Sequence, residues 1–370
     1  MKLSKKLLAA VLAVLMVLSI SACHPKDEIA LTIGDVEITS ALYMYALLEA
    51  DSAARSQIDA EASAAASSSN SASLVTEAID YHSKEIEGKK FSDWVKDTAI
   101  TRCREIAFYE SICKEKGLTL SEETQANVDS MVDMYWSYYG YAALYEPNGV
   151  GKDTFKRAIT ADYLTDEYFF FLYGEGGEKE VDNASLKTKA VEKYLTADVL
   201  QASISSSTKE EDKTKLIAQF KDYEKRLNDG EDFEKVYNHY YGIEEDKTTS
   251  STTSEAETTE EKTYKYPYAS ILAAKDSGDN YASELYDTVK ALKNDEVKYI
   301  ESETAITVLV RRDMESDELR MEDLCKTVLW NEKNEEFQKG VDEEAAKLPL
   351  DENTFATKRF KVKNIIYPAQ

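Results

Sequence analysis

Four cysteines and three histidines hold most of the nucleophilic and metal-binding capacity of this chain, and their spacing gives that chemistry little to work with. Cys103, Cys113 and Cys325 are an odd set without the paired spacing of a zinc site, and His24, His82 and His239 are scattered. Cys103 and Cys113 fall on one predicted helix, about 15 Å apart along its axis, too far for a disulfide. Buried thiols are the expectation, with no metal and no cofactor. The serines from Ser203 to Ser207 have no neighbouring base to activate them. Seventy Asp and Glu against 45 Lys and Arg make any single acid/base pair arbitrary. There is no G-x-S-x-G, no Walker-type glycine loop, no H-E-x-x-H and no dinucleotide fingerprint.

Aromatic side chains are the more promising chemistry. Tyr135-Trp-Ser-Tyr-Tyr-Gly-Tyr141 and Tyr168-Phe-Phe-Phe-Leu-Tyr173 put rings around more than half of each local helix surface, more than one core-facing stripe needs. Rings offer large contact area at modest entropic cost, and tyrosine keeps a polar handle, which suits a groove for unfolded polypeptide. Tyr135, Trp136, Tyr138, Tyr139, Tyr141, Phe169 and Phe170 are therefore the candidate polypeptide-binding residues. The competing reading is that these helices are central and buried on several sides.

The start of the chain addresses location. Lys2, Lys5 and Lys6 precede an apolar run from Leu7 to Ile20, and Ile20-Ser-Ala-Cys23 closes it. The run has the length of a signal-peptide core, short for a membrane span, and no comparable run follows. The last four residues resemble the lipobox of bacterial lipoproteins, which implies acylation of Cys23, cleavage before it, and attachment to the outer face of the cytoplasmic membrane of a Gram-positive bacterium. The alternative is an ordinary secretory signal with a chance cysteine. Removing three lysines and no acid makes the formal charge of -25 three units more negative, a poor balance for binding nucleic acid or an anionic lipid surface.

The elements that must position these residues are mostly helical. Ile29 to Ile38 reads as a hairpin about Gly34-Asp35, and Thr39 or Ser40 caps a helix carrying Leu42, Tyr43, Tyr45, Leu47 and Leu48. Ser52 to Ser73, nearly all alanine, serine and small polar residues, is either an exposed helical extension or a loop. Phe91, Trp94, Val95, Ala99, Cys103, Ile106 and Ala107 recur at helical steps that Gly117 ends, and Ser121-Glu-Glu-Thr caps the next helix, through Val128, Met131 and Tyr135. Another helix spans about 152–173. Beyond Leu186 come helical residues near 190–194, an extended piece 199–204, a charged helix 209–227 and a helix after Gly230. The Glu/Thr/Ser tract 244–262 has no apolar periodicity and reads as disordered or a solvent loop. A helix over 281–292, a strand Ala305 to Val310, a long helix through Leu319 to Phe337, and a closing strand 359–366 that returns to the hairpin near Ile29 complete the pattern.

In order along the chain, the lipobox, Leu31-Thr-Ile-Gly-Asp-Val-Glu-Ile-Thr39, Phe91-Ser-Asp-Trp94, Lys114-Glu-Lys-Gly-Leu-Thr-Leu-Ser-Glu-Glu123 and Leu227-Asn-Asp-Gly-Glu-Asp-Phe-Glu-Lys-Val236 resemble the extracytoplasmic foldases of the PrsA and SurA type. Ala291-Leu-Lys-Asn-Asp-Glu-Val297 and the strand from Ala305 resemble the end of that family's parvulin-type prolyl isomerase domain. The resemblance implies an α+β fold: a mostly helical chaperone-like domain from residues 23–185 and 314–370, with a parvulin-like α/β domain, 186–313, inserted after a signal peptide, 1–22. It also marks what is missing. Active parvulins carry a histidine at the start of the first domain strand, where this sequence offers Ser203 before Ile204, and another near the last strand, where it has Ala305 and Ile306. The glycine-rich segment between the halves is replaced by the acidic tract. The domain therefore reads as degenerate, with Phe233 and His239 as weak pocket candidates and no catalytic residue assigned.

The implied function is a lipid-anchored foldase or chaperone-like protein that binds unfolded or nascent secreted polypeptides, with a homodimer left open. The alternatives are an active peptidyl-prolyl isomerase and a solute-binding or structural envelope lipoprotein.

Overall fold

Residues 27–68, 79–243 and 263–368 are described by the computed structural model; Cys23, the signal segment and the acidic tract lie outside them. Chain contacts divide the protein into one unit of the residues up to Glu180 and from Glu335 onward, and a second of Val181–Asn334.

The first unit begins with strands β1 (Ile29–Ile33) and β2 (Val36–Thr39), paired antiparallel around Gly34-Asp35. Gly34 takes a positive φ of 62°, which glycine meets without the cost a side chain brings. Thr39 Oγ1 accepts from the Leu42 amide at 3.3 Å, opening α1 (Ser40–Ser68). From Leu42 to Leu48 this helix is buried all round, as a helix crossing the centre of a core must be. Its later part, within the alanine-serine tract, is the helical extension of the two expectations. A short hairpin, β3 (Glu85–Ile86) and β4 (Lys89–Lys90), which the sequence did not announce, leads into α2 (Phe91–Lys116). That helix buries Phe91, Val95, Ala99, Cys103, Ile106 and Ala107 and ends at Gly117, φ 71°, whose N–H returns to Cys113 and Lys114. Helix α3 (Glu122–Asp133) starts where Ser121 Oγ accepts from Thr124 N at 3.0 Å. After a π-helical turn, Met134–Tyr138, come α4 (Tyr141–Tyr145) and α5 (Lys152–Tyr173).

In the second unit, α6 (Asn183–Lys193) leads into β5 (Tyr194–Ser203), followed by α7 (Glu210–Asn228), α8 (Phe233–Tyr241), β6 (Ala269–Ala273), α9 (Tyr286–Lys290), β7 (Val297–Glu301) and β8 (Ala305–Arg312). The strands form one antiparallel sheet in the order β6-β5-β8-β7. Side chains alternate along β8: Ile306, Val308 and Val310 join Phe220, Tyr223 and Phe233 of α7 and α8 in one core, while Leu309 packs on the other face with Tyr286 and Val289. Both faces are covered, which is why β8 reads as a nearly continuous apolar run.

Strand β5 begins five residues before the expected 199–204. In its first half polar residues alternate with Leu195 and Ala197 and find distant partners: Tyr194 donates to Asp279 at 2.8 Å, Thr196 to the Arg312 carbonyl at 3.2 Å, and Arg312 binds Asp198 at 2.6 Å. The helix expected over 281–292 shortens to α9. Its first residues are claimed by β6, since Ala273 N bonds Tyr281 O at 2.7 Å and Ser283 N bonds Ala273 O at 3.0 Å.

The long helix α10 (Glu318–Lys347) contributes to both units. Residues 314–334, expected with the terminal segments, belong to the second: Asp317 Oδ2 accepts from Tyr266 N at 3.3 Å, and Arg320 donates to the Tyr266 carbonyl at 2.8 Å. The chain then returns to the first hairpin, but earlier than expected. Strand β9 (Leu350–Glu352) pairs with β1, Leu31 opposite Glu352, and a short helix α11 (Thr354–Thr357) follows. Residues 359–366 form no strand. Asn148 takes the place of a partner strand, its amide donating to Ile366 O at 2.8 Å and accepting from Ile366 N at 2.9 Å. The fold is thus mostly helical α+β, with the first unit closed by both ends of the described chain.

Candidate functional site

The π turn at Met134–Tyr138 makes the candidate surface. Tyr139 N bonds Met134 O, five residues back, at 3.2 Å, so one extra residue is fitted into the turn and the faces of the helix shift in register. Trp136 turns inward and is 8 % exposed, while Tyr138, Tyr139 and Tyr141 are 82, 57 and 37 % exposed. Gly140, φ 76°, then reverses the chain so that Tyr141 comes back beside the π turn. Tyr135 is half-buried and joins them, its ring 5.4 Å from Tyr139 and 5.3 Å from Tyr141; Tyr138 meets Tyr139 edge-on at 5.2 Å. Four tyrosines thus form one continuous shelf.

Beneath it lies a buried pedestal of rings. Trp136 stacks on Tyr145 at 6.2 Å and meets Phe155 at 5.8 Å; Tyr45 of α1 stacks on Tyr145 at 5.6 Å. Tyr141 contacts both Tyr145 and Phe155. Tyr145 donates to Glu49 at 2.7 Å, and burial together with that carboxylate raises its phenol pKa far above the usual value. Tyr141 is raised too, mainly by burial. The pedestal holds the shelf's backbone in place while the outer rings remain accessible. The spacing Tyr141 to Tyr145, one helical turn, was the signal in the sequence for this support; Phe155 and Tyr45 come from distant elements and had none.

The other candidates are placed differently. Phe169 is fully buried, against Phe337 at 5.2 Å and Tyr173 at 5.1 Å, and so is a core residue with no surface to offer. Phe170 is half-buried, and the outward ring of that segment is Phe171. This group lies about 21 Å along α5 from Phe155, too far to extend the shelf. Cys103, Cys113 and Cys325 are buried free thiols; burial pushes Cys103 up to about 12 and Cys113 up to about 11, which keeps both protonated and unreactive.

In the second unit, Phe233 is a core residue of α8, packed near Tyr268, and is not open to a ligand. His239 is exposed, and its Nδ1 lies 2.8 Å from the Tyr223 hydroxyl. Gln219 donates to that hydroxyl at 2.6 Å. Ser203 stands at the end of β5, not its start, directly opposite Ala305 in the ladder. At this end of the ladder a hydroxyl and a methyl group face each other, and neither residue brings an imidazole.

Solved structures similar to this chain are PrsA proteins. That of Bacillus subtilis is 17 % identical, over 68 % of this chain and 84 % of its own, with a TM-score of 0.37. Foldase protein PrsA from Streptococcus pneumoniae is 14 % identical over 76 and 98 %, TM-score 0.38, and that from Lactococcus lactis 15 % over 71 and 87 %, TM-score 0.35. No family model and no curated protein matches the chain. No helix among the described residues is long and apolar enough to cross a membrane.

Proposed function

We propose that this protein is a lipid-anchored extracytoplasmic foldase of the chaperone type, which holds unfolded secreted polypeptides on the tyrosine shelf of its first unit. The observation that carries the reading is the shelf itself: Tyr135, Tyr138, Tyr139 and Tyr141 expose joined ring surface on a buried aromatic pedestal. A folded protein does not gain stability from rings left in water, and a rigid exposed aromatic surface binds extended chains with little entropic cost of its own. Binding and release by contact need no covalent step and no cofactor. In this reading Cys23 carries the acyl anchor, and the second unit is a parvulin-like domain without the histidines the resemblance implies.

The test is suppression of client aggregation by the wild-type chain and by the Y138A/Y139A/Y141A variant. Loss of most of the suppression is expected with only a small fall in melting temperature, because Tyr138 and Tyr139 stand on the surface and Tyr141 alone also packs on Tyr145 and Phe155. Full suppression by the folded variant removes the shelf from the function.

A further inference from the structure

We infer that the shelf selects the cationic stretches of an unfolded polypeptide, extended segments bearing lysine and arginine; this rests on the polypeptide-binding reading above and names its substrate class. The face of an aromatic ring carries negative electrostatic potential and attracts a cation placed over it. Some tyrosines elsewhere in the chain carry such a cation. Arg55 lies 4.5 Å from the centroid of Tyr81 and 4.7 Å from that of Tyr367, Arg320 lies 4.8 Å from Tyr264, and Arg226 lies 5.4 Å from Tyr223. Among the described residues no lysine or arginine stands over Tyr135, Tyr138, Tyr139 or Tyr141. These ring faces are left for a cation from another molecule.

The charge around the shelf has the matching sign. Between Gly117 and Gly151 the sequence has no Lys, Arg or His, and the acids nearest the shelf along the chain, Asp129, Asp133 and Glu146, are all exposed. The lysines that reach this segment from α5 stop at its carboxylates: Lys152 pairs with Asp133, and Lys156 with Asp129 at 2.6 Å. A client lysine or arginine can lay its apolar stem on a ring and keep its charged end near Glu146, which, unlike Asp129 and Asp133, is in no ion pair among the described residues. The formal charge of -25 adds a field that draws cationic chains and repels anionic ones before contact. An uncharged apolar segment would use the ring area alone.

The test measures binding of the full chain, in detergent, to three labelled unfolded peptides of equal length and equal aromatic content. They carry either Lys and Arg, or Ser, or Glu and Asp at the variable positions. The cationic peptide is expected to bind about tenfold tighter than the serine peptide at low ionic strength, the sum of two or three exposed cation-to-ring contacts, with the acidic peptide weakest. The gap should close towards about 0.5 M salt, where screening acts within a few ångströms. The variant Y138L/Y139L/Y141L keeps apolar area but loses ring faces, and should bring the cationic peptide to within about twofold of the serine peptide. Tyr138→Leu alone, at the most exposed ring, should give part of that loss and serves if the triple variant does not fold. Equal binding of all three peptides, abolished in Y138A/Y139A/Y141A, overturns cation selection and leaves polypeptide binding intact. Binding of no peptide, or unchanged binding in the alanine variant, removes the polypeptide-binding reading itself. A leucine variant with full cationic preference overturns the shelf as the source of the selection.

Discussion

In the first unit Tyr138 and Tyr139 stand more than half exposed beside Tyr135 and Tyr141, touching one another and little else. In the second unit, Tyr241 apart, which is 54 % exposed, several tyrosines are engaged at their polar tips or their faces. Tyr223 takes Gln219 and His239 at its hydroxyl and Arg226 on its ring; Tyr268 donates to Glu234 at 3.1 Å and lies 4.8 Å from Tyr237; Tyr266 sits under Arg312. A ring whose hydroxyl and face are both occupied works as a fastener between elements. A ring supported from below with its face open is contact surface. The residue type is the same, and the neighbours decide the use.

The strongest way to break this contrast is to remove the support from the open rings. Phe155→Ala empties the centre of the pedestal, where Trp136, Tyr141 and Tyr145 all meet that ring. It should cost the first unit about 3–5 kcal/mol, read by urea denaturation, and should lower client binding along with stability. A variant that unfolds like the wild type would mean the pedestal does not carry the shelf.

Close to it in size is the ion pair that fastens β5 to β8 in the second unit. Arg312→Ala leaves the buried Asp198 without its guanidinium and should cost about 3–5 kcal/mol, with binding by the shelf unchanged. Asp198 also gives this region a pH signature. Burial raises its carboxyl above the usual carboxylate range, and Arg312 only partly opposes that. The folded chain therefore holds this proton to higher pH than the unfolded chain does. The stability linked to it is fully present below the ordinary carboxylate value and is lost as pH rises through the raised one. Asp198→Asn should flatten that part of the stability profile, measured by denaturant melts across a pH series; an unchanged slope would assign it to Glu105 or Asp166, which burial also raises.

The smallest effect sharpens the idea of a fastened ring. Tyr223→Phe keeps the packing and removes the hydroxyl between Gln219 and His239, and should cost about 1 kcal/mol. The His239 imidazole, freed from that bond, should shift its proton resonance. No shift would place the imidazole elsewhere in solution.

Much of the scaffold was legible because its signals are short-range. The turn at Gly34-Asp35, the Ser121 cap, the Gly117 stop and the three- and four-residue apolar steps of α2 each act within a few residues. The aromatic segments were legible as unusual but not as exposed or buried. Trp136 and Phe169 were grouped with Tyr138 and Tyr139 by composition, and the fold separated them. The closing strand was placed at 359–366 because those residues alternate at first; the site was taken instead by Leu350–Glu352, on the ladder beside Ile33, while Asn148 bound the alternating residues.

By itself, the sequence determined most of the helical elements, the Ser121 cap and the Gly117 stop, since propensity, turn chemistry and periodicity are properties of neighbouring residues. Only the tertiary structure decided which rings face water and which polar residues can sit in a strand. One extra residue in the π turn rotates Trp136 in and Tyr138 out. Thr196 and Asp198 are tolerated in β5 because Arg312, more than a hundred residues later, brings a carbonyl to the Thr196 hydroxyl and a guanidinium to one carboxylate oxygen of Asp198. Exposure and satisfied burial depend on partners brought from far along the chain, and that information is three-dimensional.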